Sequence, residues 1–476
     1  MTHYIRQQVL DLELPREPGA YALQQQFGQV FQEKVLPQLD KLFSELAPKG
    51  VVLRIPALEI DLGRLREQGW EEEFTERCVQ QAKRQMQELL VRKDHELPTT
   101  AAHWSSPENM ALRILSDFLA SGQLPWYASD WTVRRLEEKL MTIIEEQPSL
   151  VAAEISPVLL EKTKKLQRLH WQFAPPFADQ LVEAVLALKK GWLSEARRQV
   201  ERRINTTVSR KVWIQFQRVL PRALPSAAKK VAPSAELITR LLAEAHIPTP
   251  ERSADHSRPV KGVKQEQKKD DSNRPDPILP ADSEPSLSRQ ADAAEPTGSS
   301  AANNTITDRE HWPAAVAGLV LLGVYLNPFF EELELIQDKT FCSEAHQYRA
   351  VHLLYYLATG KIGAEEPTLL LPKLLCGMPL ADPVPAQADL SAAEIAECDN
   401  LLQAVVNNWS ALKNTSPDGV RQGFLDRQGL LYPPEGRSQW ELRVERQAQD
   451  LLLDRLPWGF SITKLPWMRL PLQTEW

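Results

Sequence analysis

Apolar positions at the start of the chain fall into alternating runs and helical stripes. His3 to Leu14 alternates nearly in step, with Ile5 and Val9, then Leu10, Leu12 and Leu14 after a change of phase, which predicts a strand. Leu23, Phe27, Val30, Phe31, Leu39, Leu42 and Leu46 recur at helical spacing, and Pro37 predicts a kink or a break in that helix. Val51 to Leu62 predicts a second strand, with Leu53 and Ile55 on one face and Leu58, Ile60 and Leu62 on the other. The phase changes at Pro56, where a bulge or bend is expected, and Gly63 ends the run. Phe74, Cys78, Ala82, Met86 and Leu89 form the stripe of a second helix. Residues 1–94 thus read as an N-terminal βαβα unit. Two strands leave sheet edges open over a thin core, so pairing with another copy or another protein is expected.

Residues 95–247 read as a central helical region, with Leu112, Leu115, Phe118 and Leu119 as one stripe and a turn at Gly122-Gln123-Leu124-Pro125-Trp126. Trp192 to Leu220 is a basic amphipathic stretch carrying Trp213 and Phe216. Residues 248–311 are rich in Pro, Ser, Asp, Lys and Ala and nearly free of large apolar groups. They bury too little to offset ordering entropy, and a disordered linker is expected. Residues 312–476 read as a C-terminal helical domain with helices at 314–335, 343–358 and 391–412. Ser416 is placed as an N-cap with Pro417 at the first helical position. Trp440, Leu442 and Val444 alternate after Pro433-Pro434-Glu435-Gly436, the signal of a small β-hairpin. The fold class expected is mostly α with small α+β parts.

Composition changes this picture little. Hydrophobic residues make up 43% and charged residues 25% of 476, ordinary for a soluble globular protein of two or three domains. The 36 prolines against 19 glycines point to extended connectors and rigid turns rather than glycine-loop chemistry. Four cysteines in so long a chain make no disulfide framework, which fits a reducing cytoplasm. The alternating N-terminus predicts no signal peptide. The longest apolar run, Ala314 to Leu326, is too short to span a bilayer, so it reads as a buried helix and no membrane partner is expected.

Charge changes it more. The total is −7, but Arg197 to Lys230 holds ten Lys/Arg and one acid, so that stretch is +9 and the remainder −16. Arg197, Arg198, Arg202, Arg203, Arg210, Lys211, Arg218 and Arg222, with Trp213 interleaved, form the candidate partner-binding set. They suit phosphates or an acidic protein surface, or they are a solvated helix face balancing an acidic chain. Nucleic acid is the lesser reading, because no reader fold surrounds them.

Signs of catalysis are weak. Cys342 and His346, with His352, Cys376 and Cys398, offer metal-ligand types, but no CxxC pair is present and Cys376 and Cys398 sit in apolar surroundings. Thr359-Gly360-Lys361 fails the phosphate-loop motif, having Tyr355 and Ile362 where Gly and Ser/Thr are needed. Glu71-Glu72-Glu73 is the acidic first turn of a helix. No GxSxG, HExxH or GxGxxG occurs. Neither an enzyme nor a cofactor is expected, and no metal.

The last residues, Arg455 to Trp476, carry Leu456-Pro457-Trp458, Leu465-Pro466-Trp467 and a final Trp476. Three indoles in so short a stretch are costly to leave in water, so Trp458, Trp467 and Trp476 must dock on their own domain or on a partner.

On these residues the chain resembles the tape measure protein family of bacterial contractile injection systems, the extracellular phage-tail-like particles of the antifeeding-prophage and virulence-cassette type. The likeness runs through Ile5-Arg6-Gln7-Gln8, Leu58 to Gly63 and Phe118 to Gly122 with Leu124-Pro125-Trp126. It continues through Ala350 to Leu354, Ala358 to Gly360, Lys373 to Gly377, Lys413 to Gly419 and Asp454 to Trp467. The resemblance implies assembly rather than catalysis, with tube and baseplate proteins as partners and self-association through the N-terminal domain. It implies residence in the bacterial cytoplasm during assembly and then inside the particle. It also implies a ruler whose length sets how many tube rings form, with a baseplate scaffold or a nucleic-acid-binding adaptor as alternatives. The middle, residues 94–311, would span roughly 330 Å as helix at ~1.5 Å per residue or ~720 Å extended at ~3.3 Å.

Overall fold

The structure, a computed structural model, describes residues 3, 5, 8–13, 20–46, 52–55, 57–66, 68–91, 103–128, 130–156, 158–249, 311–412, 415–434 and 438–476. The expected linker therefore lies outside the described residues from 250 to 310, as do Lys413, Asn414 and the Glu435-Gly436 tip of the expected hairpin turn. The fold is mostly helical with small sheets, the class expected.

The N-terminal region holds α1 (Ala20–Val30), a π-turn over Phe31–Val35, α2 (Leu36–Leu46), β1 (Val52–Arg54) and α3 (Trp70–Val91). At Pro37 the helix neither kinks apart nor stops. It widens just upstream, where Leu36 N–H reaches back to Phe31 O, and this shift of the ladder precedes the residue that has no N–H to give. Phe27, Phe31, Val35, Leu39 and Leu42 pack with Phe74, Cys78 and Ala82 in one small core.

The strand expected at His3–Leu14 is not formed by the described residues there; Leu10 and Leu12 rest on the helical core from irregular chain. The second expected strand shrinks to β1, and Leu58, Ile60 and Leu62 likewise pack as irregular chain. The reason is pairing. The partner of β1 is β2 (His103–Ser105), antiparallel with Val52 opposite Ser105, and it comes after α3 rather than before α1.

The central region runs α4 (Pro107–Ser121), α5 (Val133–Glu146), α6 (Pro148–Glu154), α7 (Val158–Glu161), α8 (Thr163–Gln172), α9 (Pro175–Val185), α10 (Trp192–Ile204), α11 (Arg210–Ala223) and α12 (Ala235–Glu244). Ser106 caps α4 by accepting Asn109 N–H, with Pro107 at the first position, and Gly122 ends it at φ 78°. The basic stretch is two helices, because Asn205 turns left-handed at φ 54° between α10 and α11. One apolar core, from Ala111 to Ile247, joins these helices.

The C-terminal region contains β3 (Trp312–Ala314), a 3₁₀ turn over Ala317–Leu322, α13 (Gly323–Glu332), β4 (Ile336–Gln337), β5 (Thr340–Phe341), α14 (Glu344–Thr359), α15 (Leu370–Leu375), α16 (Ala392–Asn408), α17 (Pro417–Val420), β6 (Gly429–Tyr432), β7 (Trp440–Val444), β8 (Ile462–Thr463) and β9 (Leu472–Glu475). The helix expected over 314–335 is thus a strand end, a 3₁₀ turn and a short helix. Val316 is left-handed at φ 55°, and Ala317 N–H goes to Arg427 O rather than up a helix. The expected cap appears, with Ser416 accepting Gly419 N–H.

A five-stranded sheet has the order β3-β6-β7-β9-β8. The antiparallel pair β6–β7 places buried Leu431 opposite buried Leu442, and β7–β9 is parallel. β4 and β5 form a small separate hairpin. The core here runs from Ala314 to Leu472 and shares no residue with the central one.

Candidate assembly interface

The basic residues of α10 and α11 do not gather into one cluster. The Arg197 guanidinium lies 4.5 Å over the Trp213 ring, and its nearest carboxylate is Asp179 at 3.8 Å. Trp213 itself is buried, stacks on Phe216 with centroids 5.3 Å apart, and donates its indole N–H to Asp179 at 2.8 Å. A ring at amphipathic spacing has gone inward, where the polar edge is satisfied. Arg198 pairs with Glu195, and Arg222 with Glu161. Arg203 donates to Thr239 Oγ1 at 3.0 Å and Ala235 O at 2.6 Å, which ties α10 to α12. Arg218 donates to Thr163 Oγ1 at 3.1 Å. Arg202, Arg210, Lys211 and Arg218 are exposed and form no ion pair among the described residues.

The three tail indoles all dock within the chain. Trp458 donates to Leu321 O at 2.8 Å and meets Tyr325 edge-on. Trp467 donates to Leu375 O at 2.7 Å between Phe330 and Phe341. Trp476 donates to Asp450 Oδ2 at 2.9 Å under the Arg427 guanidinium. Burial pushes the Asp450 carboxyl up, but the hydrogen bonds from Arg427, Gln447 N–H and Trp476 outweigh it and hold the group below the ordinary carboxylate range.

The residues singled out for chemistry have structural places. Gly360 is the left-handed C-cap of α14, so Thr359-Gly360-Lys361 stands at a helix C-terminus, where an anion is disfavoured. Glu73 accepts from the Arg66 backbone and side chain and from Arg77, which anchors the chain before α3. Burial drives the Cys376 thiol up and pushes Cys398 to about 12. Cys342 is exposed, and no group of three or more His, Cys, Asp or Glu among the described residues is placed to hold a metal. His352 Nε2 donates to Pro385 O at 2.8 Å, its buried Nδ1 has no partner among the described residues, and burial holds the ring below its ordinary pKa.

The most heavily buried charges are ones that periodicity alone does not flag. Arg168 of α8 donates from Nε and Nη2 to both oxygens of Glu366 (2.8 and 3.1 Å), from Nη1 to Leu119 O and from Nη2 to Ala381 O. Lys373 of α15 reaches the same carboxylate and Leu380 O. All three side chains are 0% exposed, so every charge must find its partner inside. Burial lowers the Lys373 pKa, and Glu366 opposes that.

Around this cluster the neighbouring groups lock together. Glu366 N–H goes to Gln172 Oε1, Gln172 Nε2 goes to Val384 O, and Ala386 N–H goes to Trp171 O. Glu365 accepts Val133 N–H and Arg134 N–H at the start of α5, where a carboxylate suits the helix dipole. At the rim Lys164 pairs with Asp382. Gly122 is required here, since a Cβ on it would lie 2.5 Å from Glu366 Oε1. A lysine inside the apolar run from Leu369 to Cys376 was the one sequence signal, because such a charge is buried only when paired.

No helix among the described residues is long and apolar enough to cross a membrane. No curated protein and no solved structure matches the chain. A family model described as contractile injection system tape measure protein matches residues 2–476.

Proposed function

Because the chain belongs to the contractile injection system tape measure protein family, a family of structural particle components, we propose that it acts without catalysis as a ruler during tube and baseplate assembly. The observation that carries this reading is the family match over residues 2–476. Two separate apolar cores on either side of residues 250–310 support it in form. Deleting residues 248–310, or duplicating them, is expected to shorten or lengthen the tube seen by electron microscopy. Unchanged length with normal assembly would refute measurement and leave a baseplate scaffold. That second reading has one observation in its favour, the polar seam that joins the two helical regions directly.

Partner contacts follow from charge and open edges. The exposed cations Arg202, Arg210, Lys211 and Arg218 dock on an acidic surface of the tube lumen or of the cargo. The tail tryptophans Trp458, Trp467 and Trp476 hold the C-terminal region in shape for such contacts. The two-stranded sheet of β1 and β2, which has no third strand among the described residues, is the surface for self-association. Reversing the four cations to Glu is expected to lower particle yield several-fold while leaving the chain folded, since exposed substitutions away from caps and buried partners usually change stability by no more than about 0.5 kcal/mol each. Normal yield and length from that variant would sink the docking role.

A further inference from the structure

The two helical regions meet without sharing a core. The apolar cluster of the central region ends with Ile247, and that of the C-terminal region begins at Ala314, with no residue in common. Between them lie the buried Arg168, Glu366 and Lys373, the Gln172 amide and the Glu365 cap on α5. One aromatic contact, Trp171 edge-on to Tyr348 at 5.6 Å, joins this polar set.

Such a seam is specific, because each charge has a fixed partner. It is also separable, because the loss of hydration on burying ions offsets much of their attraction. Contacts between regions of one chain hold rigidly only when they are large and apolar. The pairs that cross the seam, 168 with 366, 133 with 365, 164 with 382, 172 with 384 and 171 with 386, all straddle residues 250–310. While the seam holds, adding length within 250–310 cannot move the two regions apart.

We propose that the Arg168–Glu366–Lys373 cluster is a latch that keeps the flanks of residues 250–310 together in the free chain and parts first when the chain is drawn out. Its opening lets the two helical regions separate before either unfolds. The use of this release inside a particle rests on the ruler reading; the latch itself does not.

The test is to stretch the full chain in an optical trap, with handles at residues 113 and 476 and Cys342→Ser in the background. The first extension step is expected to grow by about 3.3–3.6 Å for each residue added when 250–310 is duplicated, with later steps unchanged. Glu366→Gln is expected to lower the force of that first step alone. A first step indifferent to the duplication, or to Glu366→Gln, overturns the latch. Should that variant fail to fold, a wild-type chain with a protease site inside 250–310 decides the matter. After cleavage the two fragments must co-elute, and separate elution overturns the proposal. Tube length that ignores 250–310 while the first step still tracks its duplication sinks the ruler and leaves the latch standing.

Discussion

Asp450→Ala is expected to destabilise the C-terminal region by about 3–5 kcal/mol, the range for removing one member of a buried ion pair. Asp450 is 0% exposed. It accepts from Arg427 Nη1 at 2.8 Å and Nη2 at 3.0 Å, from Gln447 N–H at 2.7 Å and from Trp476 Nε1 at 2.9 Å. Without it the Arg427 guanidinium is left, among the described residues, with the Glu445 and Gly423 carbonyls and the Trp476 ring face, and its charge stays buried without a counter-ion. Trp476 loses the acceptor for its indole, so the backbone amides of Leu472–Glu475 should also exchange faster with solvent. Asp450→Asn, which keeps one acceptor oxygen, should fall between the variant and the wild type. Urea unfolding followed by tryptophan fluorescence measures both. A loss below about 1 kcal/mol, the net worth of a single ordinary hydrogen bond, would mean that apolar contacts alone hold the tail.

Gly318→Ala is expected to cost about 3 kcal/mol or more, the upper range for overpacking a filled core, or to prevent folding outright. A Cβ on Gly318 would lie 1.8 Å from Phe424 O and 2.6 Å from Leu425 Cα. Both are backbone atoms of the π-turn Arg421–Leu425, so no side-chain rotation relieves the clash. The glycine is demanded by space, since its φ is not positive. Gly423→Ala is the control within the same π-turn. No neighbouring atom lies within 4 Å of its added Cβ, and its stability should change by no more than about 1 kcal/mol, the Gly-to-Ala propensity range. Equal thermal melting of the two variants would show that the contact between the 3₁₀ turn and the π-turn yields.

What was legible in the sequence is what local spacing writes. The stripes from Phe27 to Leu42 and from Phe74 to Ala82 face one core, the Ser416-Pro417 cap forms, and Trp440, Leu442 and Val444 lie on a strand. What was not legible depends on residues far apart. Nothing near Val52 announces that its partner is Ser105, and alternation at His3–Leu14 predicts a strand for which no neighbour exists among the described residues. The run Ala314–Leu326 is apolar on every side, and a pattern without a polar face carries no period to separate helix from strand and 3₁₀ turn. Trp213 looked like a surface aromatic among arginines because the acceptor that draws it inward, Asp179, sits on another helix. The seam was hidden for the same reason, since Arg168 and Glu366 are 198 positions apart.

The sheet order carries a consequence in time. β9, Leu472–Glu475, lies between β7 and β8, although both of those precede it in the chain. As the polypeptide emerges during synthesis, β7 pairs with β6 on one side while its other edge stays bare until Leu472 arrives. An interruption between Val444 and Leu472 leaves that edge open to strands of other nascent chains. The closed sheet therefore requires Leu472–Glu475, and a copy cut short before them should be recognised by its tendency to stick.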